Sequence, residues 1–208
     1  MTDPAAQRQQ VIERFGLNAA TLESLDAYAD LLARWQKKIN LVGPSTIQAL
    51  WQRHIWDSLQ LASLLPQGAP SVADLGSGAG LPGLLLAQMR PVTLHSVESD
   101  SRKIAFQRQA LAQMAFCGKV VLHNKRAEAL TPLNADVITA RAFAPLQSLL
   151  PLGYHHCHET TEWILPKGQN VEAELEEATK CWTFKVKTVH SETHEEARVL
   201  CLSEVKPR

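Results

Sequence analysis

The residues with the clearest capacity for chemistry lie in the stretch Val72-Ala73-Asp74-Leu75-Gly76-Ser77-Gly78-Ala79-Gly80-Leu81-Pro82-Gly83. An apolar approach ends in a carboxylate, four glycines fall within eight positions, and Leu84-Leu85-Leu86-Ala87 opens an apolar run of helical type. The pattern predicts strand, turn and helix in that order. Glycine at this density permits positive φ and lets a ligand approach the main chain, at an entropic cost that ordinary turns avoid. Pro82 suits the first turn of a helix, where its missing N–H would have had no partner. Free N–H groups and the positive end of the helix dipole then face whatever the turn holds. The turn is a candidate nucleotide site.

Register decides which nucleotide. Gly78-x-Gly80-x-x-Gly83 satisfies the dinucleotide fingerprint, but the bare match is weak evidence. Asp74 stands just before the first glycine, where a negative charge opposes a pyrophosphate and suits a cationic amino group. The series Gly76-x-Gly78-x-Gly80 also carries one glycine more than the fingerprint needs. An aminoacyl nucleoside such as S-adenosylmethionine has an amine, a sulfonium and no phosphate, so it fits the acid. A P-loop is excluded because no Lys-Ser or Lys-Thr follows the glycines.

Ligands of open α/β sheets bind outside the carboxyl ends of the strands. That rule gathers Asp74, Glu98, the turn Lys125-Arg126-Ala127-Glu128 and Arg141 into one crevice. Glu98 lies 18 residues after Gly80, near the spacing at which an acid takes ribose hydroxyls. The elements that must position these residues alternate between strand and helix. Strands are predicted at Val72–Leu75, Val92–Val97, Val120–Leu122, Val137–Ala140 and Trp163–Leu165, with Ser101 capping the helix that runs through Ile104, Leu111 and Met114. Helices between strands imply a parallel, doubly wound sheet. After a Glu-rich helix (171–180), Thr183–Val189 and Arg198–Val205 follow one another as strands and form an antiparallel terminal pair.

Residues 4 to about 65 show no strand-like alternation. Leu22, Leu25, Tyr28, Leu32, Trp35 and Ile39 make a helical stripe, which predicts one helix from about Thr21 to Ile39 with Thr21 or Ser24 as N-cap. Trp51, Ile55, Leu59 and Ala62 mark a second. Pro66-Gln67-Gly68-Ala69-Pro70 reads as a boundary. The expected organisation is a helical extension (1–68) and an α/β, Rossmann-like domain (69–208).

The chain has 208 residues, with 21 basic and 21 acidic side chains and 45% hydrophobic content. From Arg102 to Arg141 there are seven Lys or Arg against two acids; from Ala142 to Val205 there are five against ten. This asymmetry suggests one face for an anionic partner, while the neutral total argues against tight binding of naked nucleic acid. The four cysteines are scattered, and neighbouring side chains in His155-His156-Cys157-His158 diverge, so no metal is expected. With no apolar segment of signal-peptide or spanning length, a cytoplasmic protein without membrane association is expected.

With those residues placed, the chain resembles class I S-adenosylmethionine-dependent methyltransferases, and more narrowly the RsmG (GidB) family acting on small-subunit ribosomal RNA. The match rests on Asn40-Leu41, Arg53-His54-Ile55-x-Asp57-Ser58, the glycine stretch, Arg126-x-Glu128, Arg141-Ala142 and Lys167-Gly168. The resemblance implies that Gly76 and Leu81 meet the methionine part of S-adenosylmethionine and that Ala127 and Glu128 lie near its adenine. Arg141 then stands beside the cofactor at the mouth of the site, as the residue closest to catalysis. With Asp74, Gly78, Gly80 and Glu98, these form the expected cofactor set. The resemblance further implies methylation of N7 of a specific guanine (guanine 527) in 16S ribosomal RNA, within the assembled small subunit, by a monomer.

The chemistry agrees with what the sequence lacks. Methylation of exocyclic amines usually uses an Asn/Asp-Pro-Pro-aromatic motif after the fourth strand, where this chain has Thr139-Ala140-Arg141-Ala142-Phe143. Carbon-5 methylation needs a cysteine nucleophile, and none lies near these strand ends. Guanine N7 has an in-plane lone pair and needs no general base.

Overall fold

A computed structural model describes residues 3–208. Two helices open the chain, α1 (Pro4–Phe15) and α2 (Ala19–Gln36). The stripe expected from Thr21 to Ile39 is α2. It starts earlier because Asn18, neither Thr21 nor Ser24, is its cap: the Thr21 N–H donates to Asn18 Oδ1 at 2.9 Å. Ser24 lies inside the helix, where its hydroxyl accepts the Ala115 N–H at 3.0 Å.

The second helical stretch is irregular. It runs as a 3₁₀ segment (Pro44–Ala49), a π segment (Trp51–Trp56), one turn of α-helix, α3 (Asp57–Leu59), and a further 3₁₀ segment (Gln60–Leu64). π turns are rare and concentrate at functional sites; this one carries Arg53 and His54.

The remainder alternates: β1 (Ser71–Leu75), α4 (Gly83–Met89), β2 (Thr93–Val97), α5 (Ser101–Leu111), β3 (Lys119–His123), β4 (Ala135–Thr139), α6 (Leu146–Tyr154), β5 (Cys157–Lys167), α7 (Val171–Thr179), β6 (Trp182–His190) and β7 (Arg198–Pro207). The strands form one sheet in the order β3-β2-β1-β4-β5-β7-β6. Pairs from β3 to β5 are parallel, and β7 runs antiparallel to both β5 and β6. This is the expected parallel sheet with an antiparallel terminal pair. At α5 the cap is Asp100, whose Oδ1 accepts the Arg102 N–H at 2.8 Å; Ser101 is instead the first helical residue.

Alternate side chains of each buried strand enter opposite layers. Val72, Val137 and Ile164 join α2, α3, α4 and α5 in one apolar cluster; Ala73, Ile138 and Trp163 join α6 and α7 in the other. The strand order reverses between β1 and β4, and that switch point is where such sheets bind ligands. The N-terminal helices reach it directly: Tyr28, fully buried on α2, donates its hydroxyl to the Ala79 carbonyl in the glycine turn at 2.9 Å.

Replacing Tyr28 by Phe leaves that buried carbonyl without a partner. We expect Tyr28→Phe to cost about 1–3 kcal/mol, read from urea unfolding as a lower midpoint with an unchanged slope.

Candidate functional site

The glycine turn is built from three left-handed residues in alternation: Gly76, Gly78 and Gly80 have φ of 66°, 57° and 76°. Side chains rarely adopt that region, so the backbone itself demands glycine at these places. At Gly83 the demand is steric, because a Cβ there would stand 2.7 Å from Asp74 Oδ2. Pro82 is the residue preceding α4, and it takes the N-cap place rather than the first helical turn.

The turn is braced from beneath by polar groups that the sequence pattern does not single out. Ser77, Ser96 and Gln107, all buried, form one network: the two hydroxyls are 2.7 Å apart, Ser96 lies 2.7 Å from Gln107 Oε1, and Gln107 Nε2 donates to Ser77 and to the Gly78 carbonyl. Glu98 accepts the Gly78 N–H at 3.0 Å and the Asp100 N–H at 2.8 Å. Lys103 approaches its carboxylate at 3.9 Å.

Asp74 is completely buried. Its Oδ2 accepts the Gly83 N–H at 3.0 Å, and its Oδ1 has no hydrogen-bond partner. Burial pushes this carboxyl up to about 7, against the opposing pull of the Gly83 bond and of Arg141. A buried acid with an idle oxygen suits a cationic group brought in by a ligand.

Arg141 follows β4 and faces the turn across a cleft of about 900 Å³. Its Nη1 carries all the hydrogen bonds that the guanidinium makes among the described residues: to His54 Nδ1 at 3.0 Å and to the Arg53 carbonyl at 3.2 Å. Asp57 Oδ2 lies 3.6 Å from the same nitrogen. The ion pair of Arg141 is therefore with Asp57. His54 is buried; desolvation, with Arg141 and Arg53 adding to it, pushes its imidazole down to about 3. Asp57 also accepts the Thr193 hydroxyl at 2.8 Å, which ties loop 191–197 to the cleft wall.

Of the nine residues expected from sequence to form the site, Gly76, Gly78, Leu81 and Arg141 line the cleft together. Asp74, Gly80 and Glu98 lie behind its floor, outside the lining. Ala127 and Glu128 do not reach it. They lie on a 3₁₀ turn (Ala127–Ala129), with Ala127 buried and its carbonyl accepting from His156, and Glu128 exposed. Lys167, of the Lys167-Gly168 pair, is held by Glu174 at 2.8 Å and by the Ala144 carbonyl.

Residues 21–201 match the family described as rRNA small subunit methyltransferase G. The chain belongs to that family. Its relatives include the ribosomal RNA small subunit methyltransferase G of Paramagnetospirillum magneticum, 47% identical over 95% of both chains. Another, from Rhodospirillum centenum, is 41% identical over 93% of this chain and 89% of its own. Among solved structures, MtNAS in complex with S-adenosylmethionine shares the fold, with a TM-score of 0.62 at 13% identity over 96% of this chain and 77% of that one. The methyltransferase G family is S-adenosylmethionine-dependent, and the residues found here suit that molecule. The turn brings Gly78 to the cleft with room where a side chain would stand, Gly76 lines the cleft under the ring of Phe143, and among the described residues Asp74 Oδ1 lacks a partner.

In this member of the methyltransferase G family, sequence spacing missed the part of the site that comes from outside the sheet. His54 and Asp57 stand beside apolar residues of an apparent amphipathic helix; the stretch Arg53-His54-Ile55-x-Asp57-Ser58 carries part of the resemblance, and its role depends on Arg141 being opposite. Among the described residues, no helix is long and apolar enough to cross a membrane.

The raised Asp74 carboxyl has a testable consequence in the ligand-free protein. Its native pKa lies above the ordinary 3.8, so the folded chain holds an extra proton between about pH 4 and 7. Stability falls as pH rises through that window and is level above it. Asp74→Asn should remove about 2–3 kcal/mol of the difference in unfolding free energy between pH 5 and pH 8, measured by urea titration at both.

Proposed function

We propose that this methyltransferase moves the methyl group of S-adenosylmethionine to N7 of a guanine in 16S ribosomal RNA, acting as a monomer in the cytoplasm on the assembled small subunit. The observation that carries the reading is the composition of the cleft beside Arg141. No cysteine lines it, its two carboxylates are held by Arg141 and Lys167, and His54 has both ring nitrogens committed to Thr46 and Arg141. His194 lines the cleft from loop 191–197, exposed, with its Nδ1 accepting the Glu196 N–H. Such a cleft suits an acceptor that attacks without prior deprotonation.

Guanine N7 is such an acceptor. Bound S-adenosylmethionine supplies an electrophilic methyl on sulfur. The N7 lone pair forms the new N–C bond while the C–S electron pair returns to sulfur, giving N7-methylguanine, which carries the positive charge, and neutral S-adenosylhomocysteine. No proton moves. Holding donor and acceptor in line can account for about 7–11 kcal/mol of the barrier.

Each residue then has a part. Gly76, Gly78, Gly80 and Leu81 form the surface for the methionine portion. The ring of Phe143 covers the face of Gly76 that a Cβ would take, so it gives way when that portion seats. Asp74 complements the amine from beneath the floor, Glu98 takes the ribose, and the adenine end extends past the cleft toward the turn at Ala127 and Glu128. Arg141 presents its unbonded edge to guanine O6, to a phosphate or to the cofactor carboxylate; N7 itself must stay free. The neutral total charge favours a structured particle, where local patches and shape replace bulk attraction.

Small subunits from cells lacking this protein, incubated with it and methyl-labelled S-adenosylmethionine, should yield labelled 7-methylguanosine on nucleoside analysis. Protein-free 16S RNA should be methylated less well. Arg141→Ala should lower turnover about 10²-fold with little change in thermal midpoint; label in any other nucleoside refutes the N7 assignment.

A further inference from the structure

The acceptors around Arg141 differ in what they demand of one another, and His54 is where the demands meet. The Thr46 hydroxyl lies 2.6 Å from the Gly43 carbonyl and 2.7 Å from His54 Nε2. A carbonyl only accepts, so the single hydroxyl proton of Thr46 goes to Gly43. Thr46 Oγ1 must then accept, and His54 Nε2 carries the proton. That leaves a lone pair on Nδ1, 3.0 Å from Nη1 of Arg141, which has no acceptor capacity of its own. A relay of fixed direction runs from Arg141 to His54 to Thr46 to Gly43.

From this directionality we infer that His54 is a positioning residue. Its Nδ1 lone pair, with the Arg53 carbonyl of the same π segment and the Asp57 carboxylate, fixes Nη1 of Arg141, and the opposite edge of the guanidinium is thereby presented to the methyl acceptor. The inference rests on the reading of Arg141 given above. Three donors into one nitrogen's neighbourhood would repel it; three acceptors, converging within 3.6 Å, hold a planar fork in one orientation. The arrangement also requires a neutral imidazole, because a protonated one would turn a second donor toward the guanidinium. Burial and the two arginines keep His54 neutral throughout the working range. Within the π segment the Arg53 carbonyl accepts from a side chain of another element, Arg141.

The test is a cycle of His54→Leu and Arg141→Ala, assayed by labelled methyl transfer to small subunits lacking the modification. His54→Leu should lower kcat about 10²-fold and leave KM for the subunits within about threefold. The double variant should be no slower than Arg141→Ala alone, because the positioned group is already gone. His54→Asn, which keeps an acceptor near the Nδ1 place, should recover to within about tenfold of the parent. Losses that multiply in the double variant, or a His54→Asn protein as slow as His54→Leu, overturn the inference. Full activity of Arg141→Ala overturns the reading of Arg141 and this inference with it. Should His54→Leu fail to fold, the ring-nitrogen NMR signals of the parent protein decide. A protonated Nε2 and an unprotonated Nδ1 at neutral pH, with that signature lost in Thr46→Val, are expected; a protonated Nδ1 overturns the relay.

Discussion

The cleft depends on one hydrogen bond, from the Gly83 N–H to the buried carboxylate of Asp74. It joins the end of β1 to the start of α4 across the glycine turn. The bond is possible only because residue 83 lacks a Cβ, which would overlap the carboxylate and Leu94. It also leaves the second carboxylate oxygen without a partner in the dry layer under the turn. Burying a half-satisfied acid is costly, and the raised proton affinity of Asp74 is the measure of that cost. A fold that keeps such a group has a use for its charge when a cation arrives.

Around this bond the turn is restrained from several sides at once. Glu98 and Gln107 hold Gly78 by its N–H and its carbonyl, and Tyr28 holds Ala79 from the N-terminal helices. The first helices are therefore structural partners of the ligand turn as well as a cover for the sheet. The π segment and α3, which provide His54 and Asp57, pack into the same apolar cluster, so the opposite wall of the cleft is referenced to the same core as its floor. A site whose two walls share one core changes its separation little, which is what an in-line transfer between two bound molecules requires.

The chemistry this permits is economical in side chains. In the proposed reaction the nucleophile has its own lone pair and needs no base, and the charge passes from sulfur to the acceptor ring. What the protein adds is geometry. That is consistent with a cleft whose two carboxylates are paired with Arg141 and Lys167 and whose His54 has both ring nitrogens engaged.

Much of this was legible in the amino-acid order. Periods of two and 3.6, the glycine spacing and the lone acid before it determined the strand–turn–helix unit, the alternation of the parallel sheet and the antiparallel pair at the end, because each follows from local backbone preference and from which faces must be buried. Asp74 and the three left-handed glycines follow from the same local rules. At two helix starts neighbouring cap residues compete, and Asn18 and Asp100, each bonded to a backbone N–H close by, cap in place of Thr21 or Ser24 and of Ser101. Only tertiary packing broke the second amphipathic helix into a chain of 3₁₀ and π turns. The pairing of Arg141 with Asp57 and His54 spans more than 80 positions of chain. No periodicity carries it, because it exists only where the crossover from β1 to β4 sets the sheet against the N-terminal helices.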